Sequence, residues 1–286
     1  MNAAVGARTS ESPLVARARR HAPLDALAGW GPVRHAGSAA RLSTFVRERA
    51  RFAAAELLGL PGVRRYHLRD GGRPVLLRHG TIDTWVFVEM FVQRLYEPPP
   101  AVAAALERAG DPLVLDLGAN IGMFGLDALT RHPGARVIAY EPEAGNAAIH
   151  RRLVELNGDG DRWRLVEACA GARDGTVRFM AGQGPGSHIV DGEPAGSIEL
   201  PMVDVLGQIA EADLVKMDIE GGEWGILTDP RIARAKALVL EYHPEGCPRE
   251  DAAGYARELL AGHGFDVTPI FHDEGGIGML WAIRPA

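Results

Sequence analysis

Pro112-Leu-Val-Leu-Asp-Leu-Gly-Ala-Asn-Ile-Gly122 is an apolar run that delivers one acid, Asp116, and breaks at once into a glycine turn. Leu113, Val114 and Leu115 are side chains for a strand buried on both faces, while Gly118 and Gly122 let the backbone come close to a ligand at the carboxyl edge of a parallel sheet. Glu141 closes the next apolar run, 25 residues after Asp116, where an acid accepts hydrogen bonds from ribose hydroxyls. A dinucleotide site wants Gly-x-Gly-x-x-Gly. This chain instead spaces Gly118 and Gly122 by three residues and puts Asn120 between them. The departure points away from NAD and toward S-adenosylmethionine, with Asp116 facing the amino group of the methionine portion. The blander alternative makes Asp116 a turn residue and Glu141 a helix-capping acid before Pro142.

The pattern outward from this stretch is that of an α/β protein. Strands are expected near 112–117, 136–141, 163–168, 213–219, 237–242, 265–271 and 278–284, with helical stretches between them. The last two are joined by His272-Asp273-Glu274-Gly275-Gly276, too short for a helical crossover, so that pair must be antiparallel. Ahead of residue 101 the chain reads differently. A first helix is expected over Ser38–Leu58, a hairpin of Val63–Leu68 and Pro74–Arg78 about Asp70-Gly71-Gly72, and a helix from Thr81 through Trp85, Phe87, Phe91 and Tyr96 to the stop at Pro98-Pro99-Pro100. Residues 1–100 are therefore taken as a tail with a helix and hairpin serving as lid or platform, and 101–286 as the cofactor-binding domain. Between the third and fourth strands, Gly182 to His188 is glycine-dense and reads equally as a substrate gate or as the turn of a β-insertion.

Charge is divided unevenly. Residues 1–80 hold 14 Arg and 5 acids, +9, whereas residues 81–286 hold 17 Lys plus Arg and 32 acids, −15. Arginines without interleaved aromatics, ahead of an acidic domain, read as a solvated face, so no nucleic-acid partner is expected. No run approaches a membrane span and no secretory core precedes residue 22. Cys169 and Cys247 show no metal or disulfide spacing, which fits a reducing, cytoplasmic setting. A homo-oligomer through the N-terminal helix is left open.

The second dense stretch is Asp213-Leu-Val-Lys-Met-Asp-Ile-Glu-Gly-Gly-Glu-Trp224. A strand delivers Asp218 and Glu220 to the carboxyl edge, and Glu223 falls in the first turn of a helix, where the dipole favours an acid. Carboxylates crowded at the end of a buried strand are costly unless bonded, paired or at work. Lys216 on the same strand reads as their ion partner. His243 follows the fifth strand at the same edge, and His188 arrives on the glycine-rich loop. Asp218, Glu220, His243 and His188 are thus the candidates to take a proton from an acceptor. Oxygen ligands at Asp218 and Glu220 would suit magnesium, but the pattern by itself assigns no metal ligand.

These stretches together resemble the FkbM-type S-adenosylmethionine-dependent methyltransferases. The resemblance is carried by Val-Leu-Asp-Leu-Gly-Ala-Asn-Ile-Gly at 114–122, Tyr-Glu-Pro at 140–142, Asp174-Gly175-Thr176-Val177, Leu-Val-Lys-Met-Asp-Ile-Glu-Gly-Gly-Glu at 214–223 and Leu-Glu-Tyr-His-Pro at 240–244. It implies a class I methyltransferase fold, a Rossmann-like, mainly parallel seven-stranded sheet with an antiparallel final hairpin, and O-methylation of a natural product or sugar hydroxyl. It further implies that Asp116, Gly118, Asn120, Gly122 and Glu141 hold S-adenosyl-L-methionine, with the backbone around Ala168 and Cys169 beside the adenine. Where the family commonly has an Asp shortly before the Asp-Gly turn, this chain has Ala172. The acid density favours a neutral or cationic small-molecule acceptor over an anionic one. An NAD-dependent oxidoreductase, a nucleic-acid methyltransferase and a cofactor-binding protein without catalysis are the competing readings. The glycine spacing, the absence of an Asn-Pro-Pro-Tyr-like segment and the Asp218–Glu223 acids count against them in turn.

Overall fold

In a computed structural model, which describes residues 32–181, 188–190, 192 and 194–285, the alternation after residue 100 forms one seven-stranded sheet. The described residues begin with α1 (Pro32–Leu42), α2 (Arg49–Leu58), a hairpin of β1 (Val63–His67) and β2 (Pro74–Arg78), α3 (Asp83–Phe87) and α4 (Pro100–Ala109). Then β3 (Leu113–Leu117), α5 (Met123–Arg131), β4 (Arg136–Tyr140), α6 (Ala144–Asn157) and β5 (Trp163–Val166) alternate. An insertion follows, comprising β6 (Cys169–Gly171), β7 (Gly175–Met180), β8 (His188–Val190) and β9 (Ser197–Asp204), with a short α7 (Leu206–Ile209) behind it. The chain closes with β10 (Leu214–Met217), α8 (Glu223–Leu227), β11 (Ala237–Tyr242), α9 (Ala252–Gly262), β12 (Asp266–His272) and β13 (Gly278–Ile283).

All seven expected strands are present, in the order β12-β13-β11-β10-β3-β4-β5. The strands from β11 through β5 are parallel, and β13 is antiparallel to both neighbours because it is wedged between β11 and β12. This is the class I methyltransferase arrangement. The order jumps from β3 to β4 on one side and to β10 on the other, so the switch point between β3 and β10 opens a crevice beyond their carboxyl ends. The described residues on either side of the glycine-rich stretch form a separate sheet of order β6-β9-β7-β8, while the gate reading falls on the stretch itself. Residues 182–187 lie outside the described residues.

Two expectations near the N-terminus need correction. The helix expected over 38–58 is broken, because Arg47 N–H donates to His67 O (2.9 Å) and Arg69 N–H to Phe45 O (2.8 Å), so the backbone at 45–47 pairs with the hairpin instead of turning. The helix expected to run from Thr81 to Tyr96 is shorter. Thr81 Oγ1 does accept from Asp83 N–H at its start (3.2 Å), but after Phe87 the chain loosens into a π-helical turn at Val88–Val92, and Arg94 takes a left-handed φ of 54°.

Packing joins this region to the sheet. Phe52, Tyr66, Leu77 and Phe87 belong to the same buried cluster as Val114, Leu126, Trp163 and Trp281, while the opposite sheet face packs Leu115, Val215, Trp224 and Leu260 in a second cluster. Among the described residues no helix is long and apolar enough to cross a membrane. Phe52 is fully buried, with ring centroids 5.1 Å from Tyr66, 5.0 Å from His79 and 5.8 Å from Phe87. Truncating it leaves a cavity that these aromatic neighbours cannot collapse into. Phe52→Ala is expected to lower the unfolding free energy by about 3–5 kcal/mol in urea titrations. Because the cluster is continuous with the sheet, the transition should remain single; a separate early transition would mean that the N-terminal elements melt independently.

Candidate functional site

A cleft lies over the β3/β10 switch point, with about 1040 Å³ of empty space counting its open mouth. Its floor is built from two loops that a single carboxylate ties together. Gly118 and Ala119 N–H both donate to Tyr140 O (3.0 and 2.8 Å), and Asp218 N–H donates to Leu117 O (3.0 Å). Gly118 has φ +78°, and a Cβ there would collide with the Asp218 carbonyl, so glycine is required both by conformation and by the close approach of β10. Asn120, also left-handed at φ 50°, donates its N–H to Glu141 Oε2 (2.7 Å), and Glu141 Oε1 accepts from Glu143 N–H (2.9 Å). Gly122 (φ +90°) leads into α5 and packs on the His150 ring, which a Cβ would meet at 2.8 Å.

Glu141 is 6% exposed and lines the cleft. Burial pushes its carboxyl up to about 7, only partly opposed by the bonds from Glu143 and Asn120. Asp116 is fully buried behind the cleft wall, and burial raises it too, against the pull of the Lys216 ammonium 3.6 Å away. Lys216 donates to Gly118 O (2.7 Å) and sits 3.7 Å from Asp218 Oδ2, which places it as the ion partner of both acids. The facing wall comes from α3 and the π-helical turn: Trp85 Nε1–H donates to Glu89 Oε1 (2.7 Å), and Met90 and Tyr96 line the cleft beside them. Phe179 of β7 and Ile189 of β8 reach in from the insertion.

Next to the floor, four carboxylates crowd one imidazole. His243, 2% exposed, donates from Nδ1 to Glu223 Oε1 (2.9 Å); its Nε2 stands 3.3 Å from Glu220 Oε2, 3.5 Å from Glu241 Oε1 and 3.9 Å from Asp218 Oδ1. Burial by itself would push the ring down, but Glu223, Glu220 and Asp218 carry it up to about 9. Glu220 holds a left-handed φ of 53°, a strained conformation for a residue with a Cβ, and both Asp218 and Glu220 line the cleft.

Of the residues singled out from sequence, Gly118, Asn120, Glu141, Cys169, Asp218 and Glu220 therefore share one cavity. Asp116, Gly122 and His243 stand directly behind them, and Ala168 is buried next to Cys169. His188 is not brought to the lining; it lies on β8 opposite Met180, and strand alternation turns it away from the side on which Ile189 enters the cleft. Sequence reasoning missed the Trp85/Glu89 wall and Glu241. A carboxylate inside the otherwise apolar Ala-Leu-Val-Leu-Glu-Tyr strand was the available signal for Glu241.

Residues 116–267 match the sequence model of the methyltransferase FkbM domain, a span that runs from the acid of β3 to the start of β12. The chain belongs to the FkbM methyltransferase family. Among relatives, it is 29% identical over 237 residues to the AMB antimetabolite synthetase AmbE of Pseudomonas aeruginosa, covering 64% of this chain and 11% of that one. It is 28% identical over 222 residues to the 31-O-demethyl-FK506 methyltransferase FkbM of Streptomyces tacrolimicus, covering 64% and 82%. Against the 2-O-methyltransferase NoeI of Sinorhizobium fredii it is 33% identical over 167 residues, covering 49% and 67%. The chain thus spans about a tenth of the first relative and most of the second. A solved methyltransferase FkbM from Methylobacillus flagellatus shares 14% identity at a TM-score of 0.43, covering 87% of this chain and 59% of that one.

The raised Glu141 carboxyl sets a testable pH dependence. Its pKa is about 7 in the folded protein against an ordinary value of 4.5, so between those limits the folded state binds more protons and stability falls as pH rises. His150, pushed down to about 4 by burial, slopes the other way, but it is common to wild type and variant. Glu141→Gln is therefore expected to lose less stability than wild type between pH 5 and pH 8, by up to about 3 kcal/mol in denaturant titrations at each pH. Parallel wild-type and variant curves would contradict the raised, buried carboxyl.

Proposed function

We propose that the protein transfers the methyl group of S-adenosylmethionine to a hydroxyl of a small molecule. The observation that carries this reading is that the nucleoside-type elements, Gly118, Asn120 and Glu141, and the acid pair Asp218 and Glu220 line the same cavity. Glu141, already accepting one backbone N–H on each oxygen, has lone pairs left for a ribose diol. The Gly118–Asn120 loop, free of bulky side chains at its closest approach, passes the methionine portion, and Cys169 and Ala170 flank the adenine.

The sulfonium supplies the activation, so the chain's part is to align the acceptor oxygen, the methyl carbon and the sulfur in line and to keep water out. A hydroxyl must also lose its proton, and Asp218 and Glu220 stand on the cavity wall to receive it. His243 is the cation that lets these carboxylates crowd together, since its ring is held well above its ordinary range. As for the acceptor, Glu89, Glu141, Glu143, Asp218 and Glu220 line the cavity against the single ammonium of Lys216. That charge repels phosphates and carboxylates, which argues against a nucleic acid as well as an anionic metabolite. Trp85, Tyr96 and Phe179 offer faces for the apolar side of a sugar or phenol ring. A neutral polyhydroxylated small molecule fits this lining.

Glu141→Ala is expected to weaken S-adenosylmethionine binding by about tenfold or more in calorimetry, the cost of a lost charged acceptor. Asp218→Ala or Glu220→Ala should leave that affinity within a few-fold while lowering turnover by about 10²-fold or more, followed as S-adenosylhomocysteine formed with a panel of neutral polyols and phenols. Wild-type affinity in Glu141→Ala would remove the cofactor assignment; full turnover in the Asp218→Ala, Glu220→Ala double variant would remove these two acids as the proton acceptors.

A further inference from the structure

Glu241 and His243 are two residues apart on the end of β11, both 2% exposed, and neither lines the cleft that the methyl-transfer reading uses. Together with Asp218 they present one carboxylate oxygen each and the imidazole Nε2, all within 4.8 Å of one another. We propose that Asp218, Glu241 and His243 form a binding site for a divalent cation at the rim of the cleft.

The orientation of His243 is what separates this arrangement from a mere gathering of acids. Its Nδ1–H is committed to Glu223 Oε1 at 2.9 Å, which fixes the ring and turns Nε2 into the cluster. A carboxylate that orients a histidine through one nitrogen so that the other faces a metal is the usual outer support of a metal-ligating imidazole. Nε2 itself makes no hydrogen bond, although it is buried and three carboxylate oxygens lie 3.3 to 3.9 Å away. This nitrogen points at the space between several carboxylates, and a bound ion takes the place there of the proton that the ion-free ring holds.

Spacing and chemistry agree. Two ligands bound about 2.1 Å from one ion at a right angle are about 3.0 Å apart, and opposite ligands about 4.2 Å apart. The Nε2 to Glu241 and Nε2 to Asp218 separations of 3.5 and 3.9 Å fall within that range. Two hard carboxylate oxygens with one borderline imidazole suit manganese, magnesium or ferrous iron better than a soft-ligand metal. Glu241 and His243 are sealed in the sheet, whereas Asp218 is 21% exposed on the cleft, so the free coordination positions open toward the acceptor.

The binding claim stands on this geometry alone; its place in catalysis rests on the methyl-transfer reading. There the cation supplies Lewis acidity to the acceptor hydroxyl. As the new O–CH₃ bond forms and the S–CH₃ bond breaks, the hydroxyl proton passes to Glu220 and then to solvent, leaving a methyl ether and a neutral thioether.

The test is a titration of the full chain, stripped with EDTA and dialysed, with Mn²⁺ followed by calorimetry and by electron paramagnetic resonance of the free ion. One Mn²⁺ per chain is expected, weakened about tenfold or more in Asp218→Asn and in Glu241→Gln. Asp218→Asn changes a partly exposed group and should keep the wild-type melt, so it decides the matter if Glu241→Gln does not fold. No Mn²⁺ bound by folded wild type, or unchanged affinity in folded Asp218→Asn, would overturn the site. S-adenosylmethionine titrated into the same preparation keeps the two readings apart. Mn²⁺ bound without the nucleoside supports the cation site and defeats the methyl-donor reading, and the nucleoside bound without Mn²⁺ does the reverse.

Discussion

The contact on which the site depends is the one between Gly118 and the backbone of Asp218, where β3 and β10 run side by side and then part. A methyl there would strike the Asp218 carbonyl, so the two chain segments are as close as backbones without side chains allow. That closeness follows from sheet topology. The strand order reverses between β3 and its neighbours, and the loops leaving the two carboxyl ends diverge to opposite faces. One loop carries Gly118, Asn120 and the bond to Glu141; the other carries Asp218 and Glu220. The glycine loop and the acid loop meet in one cleft because of this strand adjacency.

Two buried cations make the acid half tolerable. Lys216 lies within 3.7 Å of Asp116 and Asp218 and donates to Gly118 O, so it stitches the acids to the glycine turn. His243 does the same for Asp218, Glu220, Glu223 and Glu241. Buried carboxylates without such partners would cost several kcal/mol each. The backbone reflects the crowding, since two of the three non-glycine residues with positive φ among the described residues, Asn120 and Glu220, sit in this cleft. Such strain persists only where the surroundings over-determine it, and here the bond that Asn120 N–H donates to Glu141 holds the first loop.

Much of this was legible in the sequence for physical reasons that also show where legibility stops. The seven strands were readable because a doubly covered parallel sheet needs near-continuous apolar runs, and Val114, Ile138, Val215 and Val239 supply them. Asp116, Glu141 and Asp218 stood out because acids at the ends of such runs are costly. The break at Ser43–Val46 was hidden, because it comes from backbone pairing with Leu68 and Arg69, more than twenty residues on, and local periodicity carries no trace of a distant partner. The wall of Trp85, Glu89 and Tyr96 was hidden likewise. Its residues fit a helical pattern, and only the π-helical turn and the packing of that segment onto α5 turn them toward the cleft. Glu241 was passed over because the acids of Asp218 to Glu223 drew the reading to β10, although both strands end at the same edge.

On the proposed function, the balance of charge at this edge bears on rate as well as on folding. A sulfonium donor is positive in the ground state and becomes a neutral thioether, so positive charge leaves the sulfur as the reaction proceeds. Carboxylates facing the sulfur would stabilise the starting state more than the transition state and so slow the transfer, even as they tightened binding. Acids are useful here only if their field at the sulfur is cancelled while their oxygens remain able to accept a proton. Lys216 on the cavity wall and His243 behind it pair with Asp218 and Glu220 and offset their negative potential. The acceptor hydroxyl, approaching from the Trp85 and Glu89 wall, then meets the carboxylate oxygens themselves, while the donor on the Gly118 side meets backbone and the Lys216 ammonium behind it. The acid cluster and its cations act as one unit, and removing either cation should harm catalysis through the sulfur's surroundings as well as through the fold.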